Sequence, residues 1–390
     1  EDHLLGPFRG EAAPVTDPTP RVGVSIPPPG FDNHTEATDY LAAAVDAGLD
    51  HVFTADHVAF LDGRGRDGLV TVAWLAGLHP TIGIYVGVYL LALRHPVAVA
   101  RQVSTLAEQA PGRLTFGVGV GGEDRHEMEA VGVDPATRGR RTDEALDVLR
   151  PLLAGERVDH HGEFYDAPDV VVRPAPDPPI PVTVGGRSDA AARRAGRRGD
   201  GWLASWCSPE RFAKGVAVAA EAAAEAGRTE VAWRHGYQVW VGFGDTPEEG
   251  TGRLGPAIER FYGVPYQAFE RYSPVGTPEE VAGWLRPFVA AGATDLNLAP
   301  VAGSPGEAID ALGEVRLASP EVAGERDDVA GLEARGQAPA ERARGRGRVG
   351  LVGHGGRGRL HRGVVQPGNV DPGGAVGAGD ADVDQQAGPV

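Results

Sequence analysis

Short apolar runs alternate with longer amphipathic segments along most of the chain. The short runs are apolar on both faces and rich in Val and Ile, which favours buried parallel strands. The longer segments repeat their apolar residues at helical spacing, and some begin at a proline, which the first helical turn tolerates. The pattern predicts eight strands, at 21–26, 51–56, 81–88, 113–120, 181–186, 201–205, 237–243 and 294–300.

Each predicted strand is followed by at least one predicted helix. The first helix lies in "TEATDYLAAAVDAG" and stops at Gly48, and one or two helices are expected between 247 and 291. Eight strand–helix units in a single domain most simply close into a (β/α)8, or TIM, barrel. We therefore predict an α/β barrel domain over residues 21–319, with a short insert around 156–180.

The two ends of the chain differ in composition from this domain. Residues 1–20 are rich in proline and charge, and residues 320–390 are dense in glycine and arginine with no aromatic residue. Such segments bury too little apolar area to offset their chain entropy. We predict a flexible N-terminal extension and a disordered Gly/Arg-rich tail, and prefer this to an RNA-binding tail because the acids of the tail nearly cancel its arginines.

Charge and cysteine content narrow the function. The formal net charge of −17 argues against nucleic acid or an anionic membrane as partner, because both attract basic surfaces. The single cysteine, Cys207, excludes an internal disulfide and a multi-cysteine metal site. No apolar run is long enough to span a membrane, and the first residues lack the pattern of a signal peptide, so a cytoplasmic location is expected.

A glycine-rich motif follows the fourth predicted strand in "LTFGVGVGGEDRH" (114–126). Gly117, Gly119 and Gly122 match G-x-G-x-x-G, but a dinucleotide fingerprint normally lies at the first strand–helix turn of an open sheet. Here the acidic Glu123 and Asp124 follow directly and would repel a pyrophosphate. Two alternatives remain: glycines that permit a tight turn, and a turn that lets a flat cofactor lie close to the backbone.

Several blocks resemble one known family. "TADH" (54–57), "TIGIYVGVYLLALRHPVAVARQVSTLAEQAPGRLTFGVGVGG" (81–122), "RGRRTDEALDVLRPLL" and "PPIPVTVGGRSDAAARRAGRRGDGWLAS" are similar in order and spacing to the bacterial luciferase-like monooxygenase superfamily. Within it, the branch that uses the deazaflavin coenzyme F420 is most similar, and the resemblance covers residues 21–317. It implies a barrel that binds F420 or FMN at its C-terminal mouth.

The resemblance also implies site residues. Asp56 and His57 are expected to contact the ring, with His57 able to hydrogen-bond or protonate near the reacting centre because imidazole titrates near neutrality. The alternative is that Asp56 caps the following segment and His57 only packs. The expected cofactor-binding residues are Gly87 and Val88, joined by a cis peptide bond at a bulge, the loop glycines Gly119, Gly121 and Gly122, and the phosphate-binding Gly185, Gly186 and Arg187.

The predicted function is hydride transfer between coenzyme F420 and a small organic substrate. Two alternatives stay open, an FMN-dependent monooxygenase and a non-catalytic flavin- or deazaflavin-binding barrel.

Arg187, Arg193 and Arg194 either attract the acidic tail of F420 or form a solvated helix face. No metal is expected, because Asp124, His126 and Glu127 are typical of an acidic, solvated helix start. His160 and His161 are expected to be scaffold. For Trp74, Trp206 and Trp240 the alternatives are the lining of a substrate pocket and the core, and the core is preferred because large aromatic residues are usually buried. Relatives suggest a homodimer.

Overall fold

Eight parallel strands of the chain close into a barrel. The computed structural model describes residues 19–28, 30–122 and 124–318. The strands of this part of the chain are β1 Arg21–Ser25, β2 His51–Thr54, β3 Gly83–Leu90, β4 Leu114–Gly119, β5 Val158–His161, β6 Asp166–Val170, β7 Val182–Gly185, β8 Gly201–Ser205, β9 Gly236–Phe243, β10 Val275–Gly276 and β11 Asp295–Val301. The barrel order is β1-β2-β3-β4-β7-β8-β9-β11, and β11 pairs with β1 to close it. The predicted TIM barrel and its eight strands are confirmed.

Helices cover the outside of the barrel. They are α1 His34–Asp46, α2 Gly68–Leu78, α3 Pro96–Gln109, α4 Arg125–Ala130, α5 Arg138–Leu153, α6 Asp189–Arg198, α7 Pro209–Glu225, α8 Pro247–Tyr262, α9 Pro278–Ala290 and α10 Pro305–Leu317. Four of them, α7 to α10, begin with a proline directly after a serine or threonine whose side chain accepts from the first turn. This pairing of cap and proline fixes where each helix starts.

Two regions add to the simple alternation of strand and helix. The insert predicted around 156–180 contains an antiparallel hairpin, β5 with β6. Between α8 and α9, two short 3-10 turns, Tyr266–Ala268 and Glu270–Tyr272, lead into β10, which pairs with β9 outside the barrel order. The short helix α4 after β4 begins where the sequence indicated a helix start, with Asp124 as its N-cap. Residues 1–18 and 319–390, on which the predicted extensions fall, lie outside the described residues.

Among the described residues, a large and a small buried cluster lie on opposite sides of the strands. The larger, here called the shell core, fills the space between the outer faces of the strands and the helices. The smaller lies in the barrel interior and contains Phe53, Tyr85, Leu203 and Ala299, with Val88 and Trp240 packed against it. The pleat explains this division, because successive side chains of a strand point to opposite faces. Within the described residues, no helix combines the length and apolarity needed to cross a membrane.

Candidate active site at the carboxyl ends of the barrel strands

A bulge interrupts β3 where it passes beside β4. Their register shifts between Val86 and Tyr89, and the Gly87–Val88 peptide bond is cis, as the resemblance implied. A Cβ atom on Gly87 would lie 2.6 Å from Gln238 Oε1 and 3.2 Å from Asn297 Nδ2. Glycine is therefore needed here because polar side chains of the barrel interior pack directly against the backbone.

Val88 projects from this bulge towards two neighbouring strands. A Cβ atom on Gly119 would overlap Val88 Cγ2, and one on Gly185 would lie 2.7 Å from Val88 Cγ1. Both glycines were predicted to contact a cofactor directly. In the structure they leave room for Val88 and so seat the bulge, and their contact with a cofactor stays a prediction.

A chain of hydrogen bonds supports the bulge from inside the barrel. His51 Nε2 lies 2.7 Å from Asn297 Oδ1, Asn297 Nδ2 donates to Gln238 Oε1 at 3.2 Å, and Gln238 Nε2 donates to the Gly87 carbonyl at 3.2 Å. Each amide acts once as acceptor and once as donor, which assigns the Nε2–H tautomer to His51. The carbonyl of the bulge is thus held by a fully directed chain that starts on β2.

His57 lies in the loop after β2, at the rim. Its ring stacks on Phe60 with centroids 4.3 Å apart, and its backbone N–H donates to the Arg66 carbonyl at 2.9 Å. Nδ1 lies 3.2 Å from Glu127 Oε2 and 3.3 Å from Oε1. Since a carboxylate only accepts, Nδ1 carries the hydrogen, and Nε2 is left as the acceptor nitrogen.

Glu127, which holds His57, is buried with 2% of its surface exposed. Its Oε1 accepts from the backbone N–H groups of Val58, at 2.6 Å, and Ala59, at 3.2 Å. Burial alone would raise the pKa of Glu127, but the hydrogen bond and charge of His57 and the two backbone donors lower it below its ordinary value. The prediction that Glu127 belongs to a solvated helix start is wrong, because α4 turns this residue inwards under the β2 loop.

Asp56 occupies a different environment from its neighbour. Its carboxylate is buried and accepts from Gly68 N at 2.8 Å, from Leu90 N at 2.9 Å and from both terminal nitrogens of Arg94, at 2.5 and 2.9 Å. Arg94 also reaches Asp67, the N-cap of α2, at 3.1 Å. Burial raises the pKa of Asp56, while Arg94 and the two backbone N–H groups oppose that shift. Asp56 therefore caps α2 and ties β2, α2 and β3 together, the alternative that the sequence left open.

The turn between β7 and α6 was predicted to bind a phosphate. Ser188 is the N-cap of α6, and Arg187 is exposed. Gly186 has φ +138°, its N–H donates to the Leu203 carbonyl at 3.2 Å, and its own carbonyl accepts from Trp202 Nε1 at 2.7 Å. Both polar groups of Gly186 are already paired, so any phosphate here would meet the N–H groups after it.

A second arginine, Arg211, lies beside this turn. Arg211 Nη2 bonds Asp189 at 2.9 Å and also donates to the Arg187 carbonyl at 2.7 Å, while its Nη1 is buried without a hydrogen-bond partner among the described residues. This nitrogen is directed by α7, not by the glycine motif. The arrangement keeps one buried donor next to the N-terminus of α6, where the helix dipole favours an anion.

The remaining predicted residues divide between the rim and the shell. Gly121 (φ +68°) faces Leu90 and Gly122 (φ +113°) faces Arg138, so both take backbone conformations that favour glycine. Arg194 is buried and bonds Asp143 at 2.8 and 3.0 Å, which contradicts its proposed contact with an acidic coenzyme tail. Arg193 is exposed. Glu123 lies outside the described residues.

The other candidates from the sequence mostly have structural partners. His160 pairs with Glu144 and His161 with Asp166, on the hairpin, as scaffold. Trp206 and Trp240 pack with Tyr262, whereas Trp74 is 41% exposed. Among the described residues, no group of three or more His, Cys, Asp and Glu side chains is arranged to hold a metal ion.

The sequence did not identify four residues that organise the site. These are Glu127, Arg94, Gln238 and Asn297. Each acts on a residue far away in the chain, with separations of 70 for Glu127 and His57 and 151 for Gln238 and Gly87. Only the alternation along β9 and β11, which turns Gln238 and Asn297 into the interior, could have indicated the second pair.

Comparison with known proteins agrees with this geometry. An uncharacterised protein of Mycobacterium tuberculosis is 35% identical over 193 residues, 49% of this chain and 66% of that protein, so the match spans just under two thirds of that relative. An F420-dependent glucose-6-phosphate dehydrogenase of Kineococcus radiotolerans is 31% identical over 255 residues, 63% of this chain and 73% of the relative.

Solved structures share the fold at low sequence identity. An F420-dependent secondary alcohol dehydrogenase in complex with an F420-acetone adduct matches with a TM-score of 0.67 at 19% identity, over 77% of this chain and 99% of that one. The FMN-bound oxygenating constituent of 3,6-diketocamphane monooxygenase from Pseudomonas putida matches with a TM-score of 0.61 at 19% identity, over 79% and 98%. The family model described as luciferase-like monooxygenase matches residues 15–271, and the chain therefore belongs to that family.

Proposed function

We propose that the protein is an F420-dependent oxidoreductase that transfers a hydride between the deazaflavin and a small organic substrate bearing a hydroxyl or carbonyl group. The observation that carries this is His57, whose ring is fixed at the rim by Phe60 and by Glu127 on Nδ1. Family membership and the F420-dependent dehydrogenase that is 31% identical support the same assignment.

The residues present fit a phosphorylated tricyclic coenzyme. The bulge at Gly87 and Val88 is seated on Gly119 and Gly185, and the buried Arg211 Nη1 lacks a partner among the described residues beside the N-terminus of α6. In this proposal the bulge backs the ring, while Arg187 and the first N–H groups of α6 hold the phosphate. When bound, F420 supplies a ring carbon that exchanges a hydride.

The chain's own residues handle the proton. Because Glu127 holds the hydrogen on Nδ1, His57 Nε2 offers a lone pair that accepts the hydroxyl proton of a substrate undergoing oxidation and returns it in the reverse direction. The carboxylate of Glu127 stabilises the imidazolium so formed, and the ring stacking on Phe60 fixes its direction. Asp56 and Arg94 hold the loop that presents His57 and need no contact with substrate.

An FMN-dependent monooxygenase is the second candidate. It is favoured by the description of the family model and by the FMN-bound Pseudomonas structure. The site residues named above would seat the ring and phosphate of FMN in the same way, so the cofactor must be decided by measurement.

The test titrates the full chain with purified F420 and with FMN, following cofactor fluorescence. We expect saturable 1:1 binding of F420, whereas binding of FMN alone would overturn the proposal. With a turning-over substrate, His57→Ala should lower kcat about a hundredfold while F420 still binds.

The matched control is His34→Ala, because His34 is an exposed histidine at the start of α1 whose side chain makes none of the contacts described for the site. It should leave kcat unchanged. Equal effects of the two variants, or an unchanged kcat in His57→Ala, would remove the proposed role of His57.

A further inference from the structure

A cavity of about 220 Å³ opens beside the site, between the end of β1 and the first turns of α2. It is lined by Ile26, Phe31, Arg66, Val70, Thr71 and Trp74. The Phe31 and Trp74 rings lie 6.0 Å apart between centroids and form an aromatic wall. The Thr71 hydroxyl donates to the Asp67 carbonyl at 2.8 Å, so the hydroxyl is already committed to its own helix. The cavity is thus mainly apolar, with one charged side chain.

That charged side chain, Arg66, has no partner among the residues that the structure describes. Its guanidinium makes no hydrogen bond or ion pair with any residue that the structure describes, and partial burial lowers its pKa with no carboxylate acting against the shift. The two other arginines nearby are different: Arg64 bonds Asp62 at 2.5 Å and Arg94 bonds Asp56 and Asp67. In a chain of net charge −17, this exposed guanidinium without a counter-ion among the described residues is available to bind an anion.

The backbone around Arg66 holds its guanidinium at the cavity. Gly30 has φ +112°, and a Cβ atom there would overlap the guanidinium, so the side chain lies directly against the Gly30 backbone. This contact places the guanidinium at the cavity. Its N–H donors form a rigid fork, so they are held there together.

The cavity adjoins the proposed catalytic histidine. The Arg66 carbonyl accepts from His57 N at 2.9 Å. The residue whose guanidinium lines the cavity is therefore hydrogen-bonded, through its backbone, to the residue proposed to accept the proton. Ile26, directly after β1, also lies at this rim, and its N–H donates to the Phe53 carbonyl at 3.0 Å. The cavity and the loop that carries His57 are therefore joined through the Arg66 backbone.

We propose that this cavity is the substrate-specificity pocket, and that it takes a small anionic substrate with a flat apolar body, its carboxylate paired with Arg66 and its body against Phe31 and Trp74. The inference rests on the proposed function, since it assigns the substrate class of that site. Arg66 is a binding residue here and takes no part in proton transfer.

The test measures binding without any coenzyme. Calorimetric titration of the full chain uses sodium 2-naphthoate as the anionic probe and 2-naphthamide as its neutral counterpart. We expect 1:1 binding of 2-naphthoate and binding about tenfold or more weaker for the amide, because a hydrogen bond to a charged group is the difference between them.

Three variants locate the effect. Arg66→Gln should weaken 2-naphthoate about tenfold or more and leave 2-naphthamide unchanged, and Arg66→Lys should restore part of the loss. Arg64→Gln is the matched control, since it removes the same charge from the same loop at a guanidinium that is already paired. It should leave both probes unchanged. Thermal melts establish that each variant is folded.

Several results would overturn the assignment. Equal binding of acid and amide, or no saturable binding of either, would contradict a pocket for an anionic substrate. Equal effects of Arg64→Gln and Arg66→Gln would show that binding of 2-naphthoate depends on the overall charge and not on Arg66. Displacement of 2-naphthoate by F420 would instead assign the cavity to the acidic tail of the coenzyme. Because F420 binding is measured separately, loss of this pocket with F420 binding intact leaves the proposed function standing.

Discussion

The shell core and the barrel interior are two buried regions built on opposite faces of the same strands. The shell core consists of apolar side chains such as Phe116, Leu298 and Phe288. The interior combines a few apolar residues with a buried polar chain of His51, Asn297 and Gln238. Asn297 and Leu298 are adjacent, both fully buried, and belong to different regions.

The difference shows what each region does. The shell core attaches helices to strands, a task that depends on apolar area. The interior is narrow, so its side chains must fit by size. Gly23 is required beside His51, because a Cβ atom there would overlap the imidazole ring. At its upper end the interior supports the bulge at Gly87, so its polar groups have directed positions that apolar packing would not give.

The largest expected effect is on the shell core. Phe116→Ala removes a fully buried ring that packs 5.4 Å from Tyr89 between centroids, and should lower the free energy of unfolding by about 3–5 kcal/mol. Urea unfolding at pH 7 measures this. Val131→Ala, at a 40% exposed position, is the control and should change the free energy by less than about 0.5 kcal/mol.

In the interior, Asn297→Leu keeps the side-chain shape but ends the polar chain. His51 Nε2 and Gln238 Oε1 lose their partners while still buried, and we expect a loss of about 2–3 kcal/mol in urea unfolding. Gln238→Leu combined with Asn297→Leu should cost less than the sum of the two single variants. Strict additivity would show that the chain is not a coupled unit.

At the amino end of the barrel, His235 gives the interior a pH dependence. It is buried, its Nδ1 accepts from Trp202 N at 3.1 Å, and burial lowers the pKa of His235 to about 4. The unfolded chain binds this proton at an ordinary pKa of about 6.5, so stability falls as pH drops from about 6.5 towards 4. Between pH 7 and pH 5 the loss should be about 2 kcal/mol.

His235→Asn tests the assignment, because the Asn side chain accepts a similar hydrogen bond but does not titrate. Urea unfolding at both pH values should show a smaller decline for the variant than for the unaltered chain. An identical decline in both proteins would place the pH dependence on other groups.

The smallest expected effect is at the rim. Gly119→Ala places a methyl group against Val88 and should cost about 1–2 kcal/mol by overpacking, and Val88→Ala in the same chain should relieve most of it. Gly77→Ala is the matched control, since nothing lies within 4 Å of its Cβ position, and it should stabilise α2 slightly. Thermal unfolding of Gly119→Ala, Val88→Ala, the double variant and Gly77→Ala gives the coupling directly.

The fold was largely predictable from the sequence, and the site only in part. All eight barrel strands lie where their apolar runs predicted them, because burial on both faces needs nearly every residue of a strand to be apolar or small. His57 and the bulge at Gly87 were found through family resemblance. The partners that hold them come from α4 and β9: nothing local marks Glu127 as inward-facing, and only the alternation along β9 could have indicated Gln238.

Gly119 and Gly185 also show how far the sequence alone could predict the site. Gly119 and Gly185 were read as open backbone for a cofactor, and the structure gives their space to Val88, which lies between them only because β4 and β7 flank the bulge of β3. Asp56 and His57 are neighbours with unlike environments, because Arg94 and the N–H groups of Gly68 and Leu90 make Asp56 a buried structural carboxylate.

By itself, the sequence determined the eight strand–helix units, their caps and the absence of a disulfide, since periodicity, capping and cysteine count are local properties. Only the tertiary structure decided that Glu127 fixes the tautomer of His57, that Val88 fills the space of two glycines, and that Arg66 lies at an apolar cavity with no partner in the described part of the chain. Those facts are distances between segments far apart in the chain, and closure of the barrel is what sets them.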